Sequence, residues 1–138
     1  MSQLINENES ARITRIDAGA KINEPIYSIY LSGKITGDPN YLEKFWAVAE
    51  VLHKKYPNAE IFNPASELLE ISEMLSRSDA TEEQAHDILV AICLKFMKKC
   101  QGIAVIPGWC GSSGTSVEVE EALSRGMKFV PVDKDWLP

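Results

Sequence analysis

Four short runs rich in β-branched and aromatic residues, separated by segments of helical periodicity, confine this chain to an α/β architecture. The clearest run is Gly102-Ile-Ala-Val-Ile-Pro107, which is short and uniformly apolar, as a strand buried on both faces must be. Ile26 to Leu31 reads as another buried strand, Glu60-Ile61-Phe62 as a short one, and Lys128 to Val132 as the last. After the first strand, Asn40 reads as a helix cap with Glu43 as its capping-box partner. Leu42, Phe45, Trp46, Ala49 and Leu52 then form one apolar stripe until Pro57-Asn58 stops the helix. Residues 65–76 read as a short helix, and Ser78 to Thr81 offer caps for a longer one to about Lys99. Thr115 to Arg125 reads as a final helix ended by Gly126. Such alternation implies parallel pairing through right-handed crossovers. Four strands are visible, and a fifth is expected in the N-terminal arm or within 65–80.

The 138 residues suit one domain. Residues 1–24 are polar and irregular and read as an arm, flexible or set against a partner, with the compact domain in 25–138. Fourteen basic against twenty acidic residues leave a formal charge of −6 with no basic cluster, which speaks against nucleic acid as a partner. Apolar stretches are too short to span a bilayer, and the first twenty residues lack the apolar core of a secretory signal. Three cysteines, an odd number, argue against a disulfide framework and for a cytoplasmic setting. With only two histidines, no Cys/His spacing matches a zinc site, and no metal is expected.

In an open parallel sheet, ligands bind beyond the carboxyl ends of the strands where the strand order reverses. Two loops leave those ends with unusual chemistry, Ser32–Asp38 and Gly108–Thr115. The second combines three glycines with the hydroxyls of Ser112, Ser113 and Thr115. It opens a helix whose free N–H groups favour an anion. The same residues admit a plainer reading, since Thr115-x-x-Glu118 is itself a capping box. Glu118 would then lie in the first turn, where the helix dipole keeps a carboxylate ionised for work as a nucleophile or cation stabiliser. Glu120 and Glu121 point elsewhere and are expected in solvent. Trp109 is placed either to stack on a base or sugar or to close over the loop as an apolar lid.

The first loop, Tyr30-Leu-Ser-Gly-Lys-Ile-Thr-Gly37, has a glycine spacing that fits neither the P-loop nor the dinucleotide fingerprint, which excludes kinase and dehydrogenase readings. Lys34 and Thr36 remain able to hold a phosphate or sugar hydroxyl, and Tyr30 points either into the crevice or into the core. His86 and Asp87 are adjacent, hence on different helix faces, and are expected at the surface. Cys93 and Cys100, seven apart, are expected to share an apolar helix face as inert thiols.

These segments resemble the nucleoside 2-deoxyribosyltransferase superfamily, in particular a branch common in phages and bacteria and described only as a deoxyribosyltransferase-like domain of unknown function. The resemblance covers Ile26 to Val132. It rests on Ile29-Tyr-Leu-Ser-Gly-Lys-Ile-Thr-Gly37, Phe62-Asn-Pro64, Gly102-Ile-Ala-Val-Ile-Pro-Gly-Trp109 and Ser113-Gly-Thr-x-x-Glu118-x-x-x-Ala122-Leu-Ser-Arg-Gly126. It implies a flavodoxin-like three-layer sandwich with a small, mostly parallel sheet of four to five strands, assembled as a dimer or larger homo-oligomer whose neighbours complete the pocket. Carried over residue by residue, it makes Glu118 the nucleophile at an anomeric carbon and Tyr30 the residue that orients it. Gly33 and Ile35 fall in the loop that wraps the sugar or base, and Ser113 and Gly114 fall where 5′ groups are held; Ser32, Lys34, Thr36, Gly37, Trp109, Ser112 and Thr115 complete the expected substrate-binding set. The implied ligand is a nucleoside or nucleotide cleaved or transferred at its N-glycosidic bond, without a cofactor. Cys93 stands where the enzymes carry an aspartate that protonates the leaving base, and Glu120 where they often carry glycine. Either Asp38, Asp87 or His86 then supplies the proton, or the domain is a non-catalytic binder of a nucleotide or nucleotide-derived signal.

Overall fold

A computed structural model describes residues 26–35 and 37–138, so the N-terminal arm and Thr36 lie outside the described residues. Its elements follow the sequence closely. They are β1 (Ser28–Ser32), α1 (Tyr41–Lys55), β2 (Glu60–Phe62), α2 (Pro64–Glu67), α3 (Leu69–Ser76), α4 (Glu82–Met97), β3 (Gly102–Val105), α5 (Ser113–Ser124) and β4 (Lys128–Val130), with a 3₁₀ turn at Lys134–Trp136. The four strands form one sheet in the order β2-β1-β3-β4, with every pair parallel. A fifth strand is absent from 65–80, which is helical. One expected short helix there is in fact two, broken at Leu68.

The pleat sorts the strand residues into two cores, because successive side chains point to opposite faces. Ile29, Leu31, Ala104 and Ile106 pack under Phe45, Val48, Ala49 and Leu52 of α1. Tyr30, Ile103, Val105 and Phe129 pack under Cys93 and Met97 of α4 and Val119 and Ala122 of α5. The result is a three-layer, flavodoxin-like sandwich. Strand ends follow the chemistry of proline: Ile106 N–H still bonds to Ser32 C=O at 2.8 Å, and Pro107 then has no donor to continue the pairing.

Caps differ from expectation at three places. Asn40 makes no side-chain cap bond to α1. Instead the Asp38 carboxylate accepts from Asn40 N–H at 2.9 Å and from Lys44 Nζ at 2.8 Å, so Asp38 organises the start of that helix. At α5 the cap is Ser112, whose hydroxyl accepts from Thr115 N–H at 3.3 Å, which makes Thr115 the third helical residue rather than the cap. Glu118 consequently lies in the second turn and has no capping role. And α4 ends at Met97, so Cys100 lies beyond the helix that holds Cys93. Two other caps form as read. Thr81 and Gln84 make a reciprocal capping box on α4. Gly126 ends α5 in the left-handed region (φ 67°), with Gly126 N–H on Leu123 C=O and Met127 N–H on Ala122 C=O.

Gly33 is required by packing at the end of β1. A methyl group there would lie 3.1 Å from both the Phe45 ring and Ile106 Cβ. Gly33→Ala is therefore expected to destabilise the fold by about 1–3 kcal/mol, as overpacked sites do. Urea denaturation measures this, and an unchanged midpoint would show that the loop yields freely.

Candidate functional site

The strand order reverses between β1 and β3, since the crossover from β1 leads to β2 on one side and that from β3 leads to β4 on the other. Loops leaving those two strands therefore diverge and open a crevice at their carboxyl ends. A cavity of about 390 Å³ lies there, walled by Gly33 and Ile35 from the first loop. Gly111 to Thr115 and Glu118 form a second wall, and His86, Leu89, Val90 and Cys93 of α4 form a third.

Glu118 dominates its chemistry. The buried stripe of α5 is Thr115, Glu118, Val119 and Ala122, the three-and-four spacing of a helix face laid on a sheet. A carboxylate thus occupies a position where an apolar side chain would ordinarily pack, and only 7% of Glu118 is exposed. Both its oxygens are held. Tyr30 Oη donates to Oε2 at 2.5 Å, and Ser32 Oγ donates to Oε1 at 2.6 Å. Tyr30 and Ser32 are alternate residues of β1, so the pleat brings both to the face that α5 covers. Tyr30 is fully buried, its ring stacked 5.6 Å from Phe62, its register partner on β2, which in turn stacks 4.4 Å from Phe96 of α4.

Burial pushes the Glu118 carboxyl above the ordinary carboxylate range, while the Ser32 and Tyr30 hydroxyls pull it back down. The phenol of Tyr30 is driven far above its usual range, first by burial, then by the Glu118 charge and by Cys93 beside it. Cys93 is pushed up to about 11, chiefly by burial, with Tyr30 opposing and Glu118 reinforcing the shift. Tyr30 and Cys93 therefore stay protonated at neutral pH, which leaves Glu118 as the most acidic of the three groups at this spot. An oriented, partly desolvated carboxylate on a cavity wall suits attack on, or stabilisation of, an electron-poor carbon.

Of the residues singled out in the sequence, Gly33, Ile35, Ser112, Ser113, Gly114, Thr115 and Glu118 line the cavity, and Tyr30 and Ser32 stand directly behind the carboxylate. Lys34 and Gly37 are not on its wall, and Thr36 lies outside the described residues. Trp109 turns inward. With 6% exposure it packs in the core beside Val105 and Val119, its indole N–H unpartnered, so it neither stacks in the crevice nor covers it. Gly108 and Gly111, both at φ near +90°, bend the loop on either side of it (91° and 88°). Glu120 is exposed, whereas Glu121 is half-buried with Lys98 4.0 Å away.

His86 departs from expectation. It is half-buried and forms part of the cavity wall, its Cε1 3.9 Å from where a β-carbon on Gly114 would stand. His86, Leu89, Val90 and Cys93 recur at three and four along α4, and this spacing was the available signal. Asp87 is exposed, and Asp38 is bound to Lys44; neither lines the cavity. Among the described residues there is no helix long and apolar enough to cross a membrane and no group of three metal-ligating side chains.

A raised carboxyl pKa fixes the sign of one stability effect. Glu118 takes up its proton more readily in the folded than in the unfolded chain. Its contribution is therefore fully present at low pH and lost as pH rises through the folded pKa. Glu118→Gln, which removes the buried charge, is expected to melt above the wild type at pH 8, with the gap closing as the pH falls into the acid range. Thermal melts of both proteins across pH measure it. A gap that is independent of pH would contradict the buried charge.

Comparison with known proteins adds the family. No curated protein and no solved structure matches the chain. A family model described as a domain of unknown function, DUF4406, matches residues 27–131, from the edge of β1 to just past β4, and the chain belongs to that family.

Proposed function

We propose that this domain acts on the N-glycosidic bond of a 2′-deoxynucleoside or its 5′-monophosphate, with Glu118 as the nucleophile. The observation that carries the reading is the burial of that carboxylate on the wall of a cavity at the switch point, with each oxygen held by a hydroxyl donor. The resemblance to deoxyribosyltransferases adds the substrate class. Glu118 attacks C1′, the bond from C1′ to the base breaks, and the electron pair leaves with the base. Water or a second base then displaces the carboxylate from C1′. A sugar without a 2′-hydroxyl reaches the cation-like state more easily, so one carboxylate serves as both nucleophile and stabiliser. Tyr30 and Ser32 orient Glu118 throughout.

The cavity walls suit the parts of such a ligand. Gly114, whose β-carbon would stand among the cavity-wall residues Val90 and His86, leaves the backbone open to close approach, and the hydroxyls of Ser112, Ser113 and Thr115 offer polar contacts to a sugar or 5′ group. The reading also includes a homo-oligomer. Ile88 and Val117, exposed apolar side chains on the two helices that line the cavity, are the surface such an assembly would cover.

One observation favours a second reading, a binder without turnover. By the resemblance Cys93 stands where the enzymes carry a proton-donating aspartate, and its thiol, pushed up to about 11, is a poor acid. The two readings separate in one experiment: chromatography of free base released from a panel of deoxynucleosides and deoxynucleoside 5′-monophosphates. The enzyme reading expects release that falls by about 10⁴-fold or more in Glu118→Gln, the scale on which removing a nucleophile acts. Release unchanged in that variant overturns it. No release, with a rise in melting temperature on adding a nucleotide, leaves the binder.

A further inference from the structure

From Ile88 onward, helix α4 is apolar nearly all round yet buries little. Between Ile88 and Met97 only Lys95 is polar, and in the whole helix only Cys93 and Met97 are buried. A helix apolar on every side is ordinarily covered on every side. Its neighbours repeat the pattern: α3 buries no residue, and Leu69 and Met74 of α3, Ile88 of α4 and Val117 of α5 are exposed. At about 100° per residue, the side of α4 opposite Cys93 is the stripe Asp87, Ile88, Ala91, Leu94 and Lys95. Leu94 is half-buried and the other four are exposed. Ala91 is the centre, with Ile88 and Leu94 three residues to either side and Asp87 and Lys95 four. The stripe thus carries opposite charges at its ends, apolar side chains between them and a small residue in the middle. Asp87 lies in the second turn, beyond the reach of the helix dipole, so the dipole does not account for its sign. Neither Asp87 nor Lys95 makes an ion pair among the described residues.

Such a stripe is its own complement when reversed. Laid antiparallel on a second copy with Ala91 against Ala91, it sets Asp87 of each chain level with Lys95 of the other and packs Ile88 and Leu94 between them. The small side chain at the centre lets the two helices approach closely. We propose that this chain forms a two-fold homodimer through α4, with Ala91 on the dyad. The pairing gives the homo-oligomer of the reading above a face and a symmetry. It owes nothing to the role of Glu118, so assembly and base release are decided by separate experiments.

Sedimentation of the full chain measures it. The wild type is expected at twice the 15.3 kDa of one chain, or at a multiple of that dimer. Asp87→Lys and Lys95→Glu each set like charges level with one another at both ends of the pair, and each variant is expected at half the wild-type mass. Both positions are exposed, and lysine and glutamate are good helix formers, so the fold is kept. Mixed in equal amounts, the two variants are expected to return to the wild-type mass. The new lysine of one then meets the new glutamate of the other, while the second end keeps its native pair. A wild type that sediments as a single chain overturns the pairing, whether residues 1–25 or another protein then covers the stripe. So do single variants that keep the wild-type mass, or a mixture that stays at the lower one.

Discussion

A carboxylate laid against the sheet is the constraint to which the rest of this molecule answers. Helix α5 must cover β1 and β3, and it does so with a stripe in which Glu118 takes the place of an apolar residue. Burying an ionised group unaided is prohibitive, so its partners must come from the strand beneath. Tyr30 and Ser32 supply one donor to each oxygen. Hydrogen bonds to a charged acceptor contribute about 1.5–3 kcal/mol each, enough to offset part of the desolvation but not to abolish it. The carboxyl is consequently held in tension between burial and its two donors, the condition under which a carboxylate is both oriented and reactive.

Topology converts that local device into a site. Glu118 and Tyr30 are 88 residues apart in sequence and meet because the β1–β3 pair is central and parallel. Strand order reverses at that pair, so the two loops part above it and the cavity opens where the carboxylate is anchored. Helix α4 closes the third side, with Cys93 beside Tyr30 and His86 beside Gly114. Aromatic stacking from Tyr30 through Phe62 to Phe96 ties β1, β2 and α4 together behind it and holds the phenol in place.

Much of this was legible in the residues themselves. Strands and helices declared themselves through periodicity, and β2 at Glu60–Phe62 matches the expected bounds because Asn58 and Asn63-Pro64 flank it with turn chemistry. The two functional loops were legible from their glycine and hydroxyl content and their place after strands. What local pattern could not show was competition between nearby residues for one task. Ser112 outcompetes Thr115 for the α5 cap, which frees Glu118 to turn inward, and Asp38 displaces Asn40 at α1. Trp109 and His86 exchanged their expected places for a related reason. An indole between two left-handed glycines is folded into the core by the bend they create. A histidine in an otherwise apolar stripe is carried to the cavity by the packing of Leu89 and Cys93. Both outcomes depend on tertiary context that adjacency in sequence does not record.

The central claim is that Glu118 bonds to the sugar, and the direct measurement is of that bond. The protein would be mixed with a deoxynucleoside, quenched in acid within the first turnover and digested with trypsin, and the peptide Cys100–Arg125 weighed by mass spectrometry. The account predicts a deoxyribosyl adduct on Glu118 that appears with the first release of base and is absent in Glu118→Gln. Base released while that peptide stays unmodified, or an adduct carried on another residue, would contradict it.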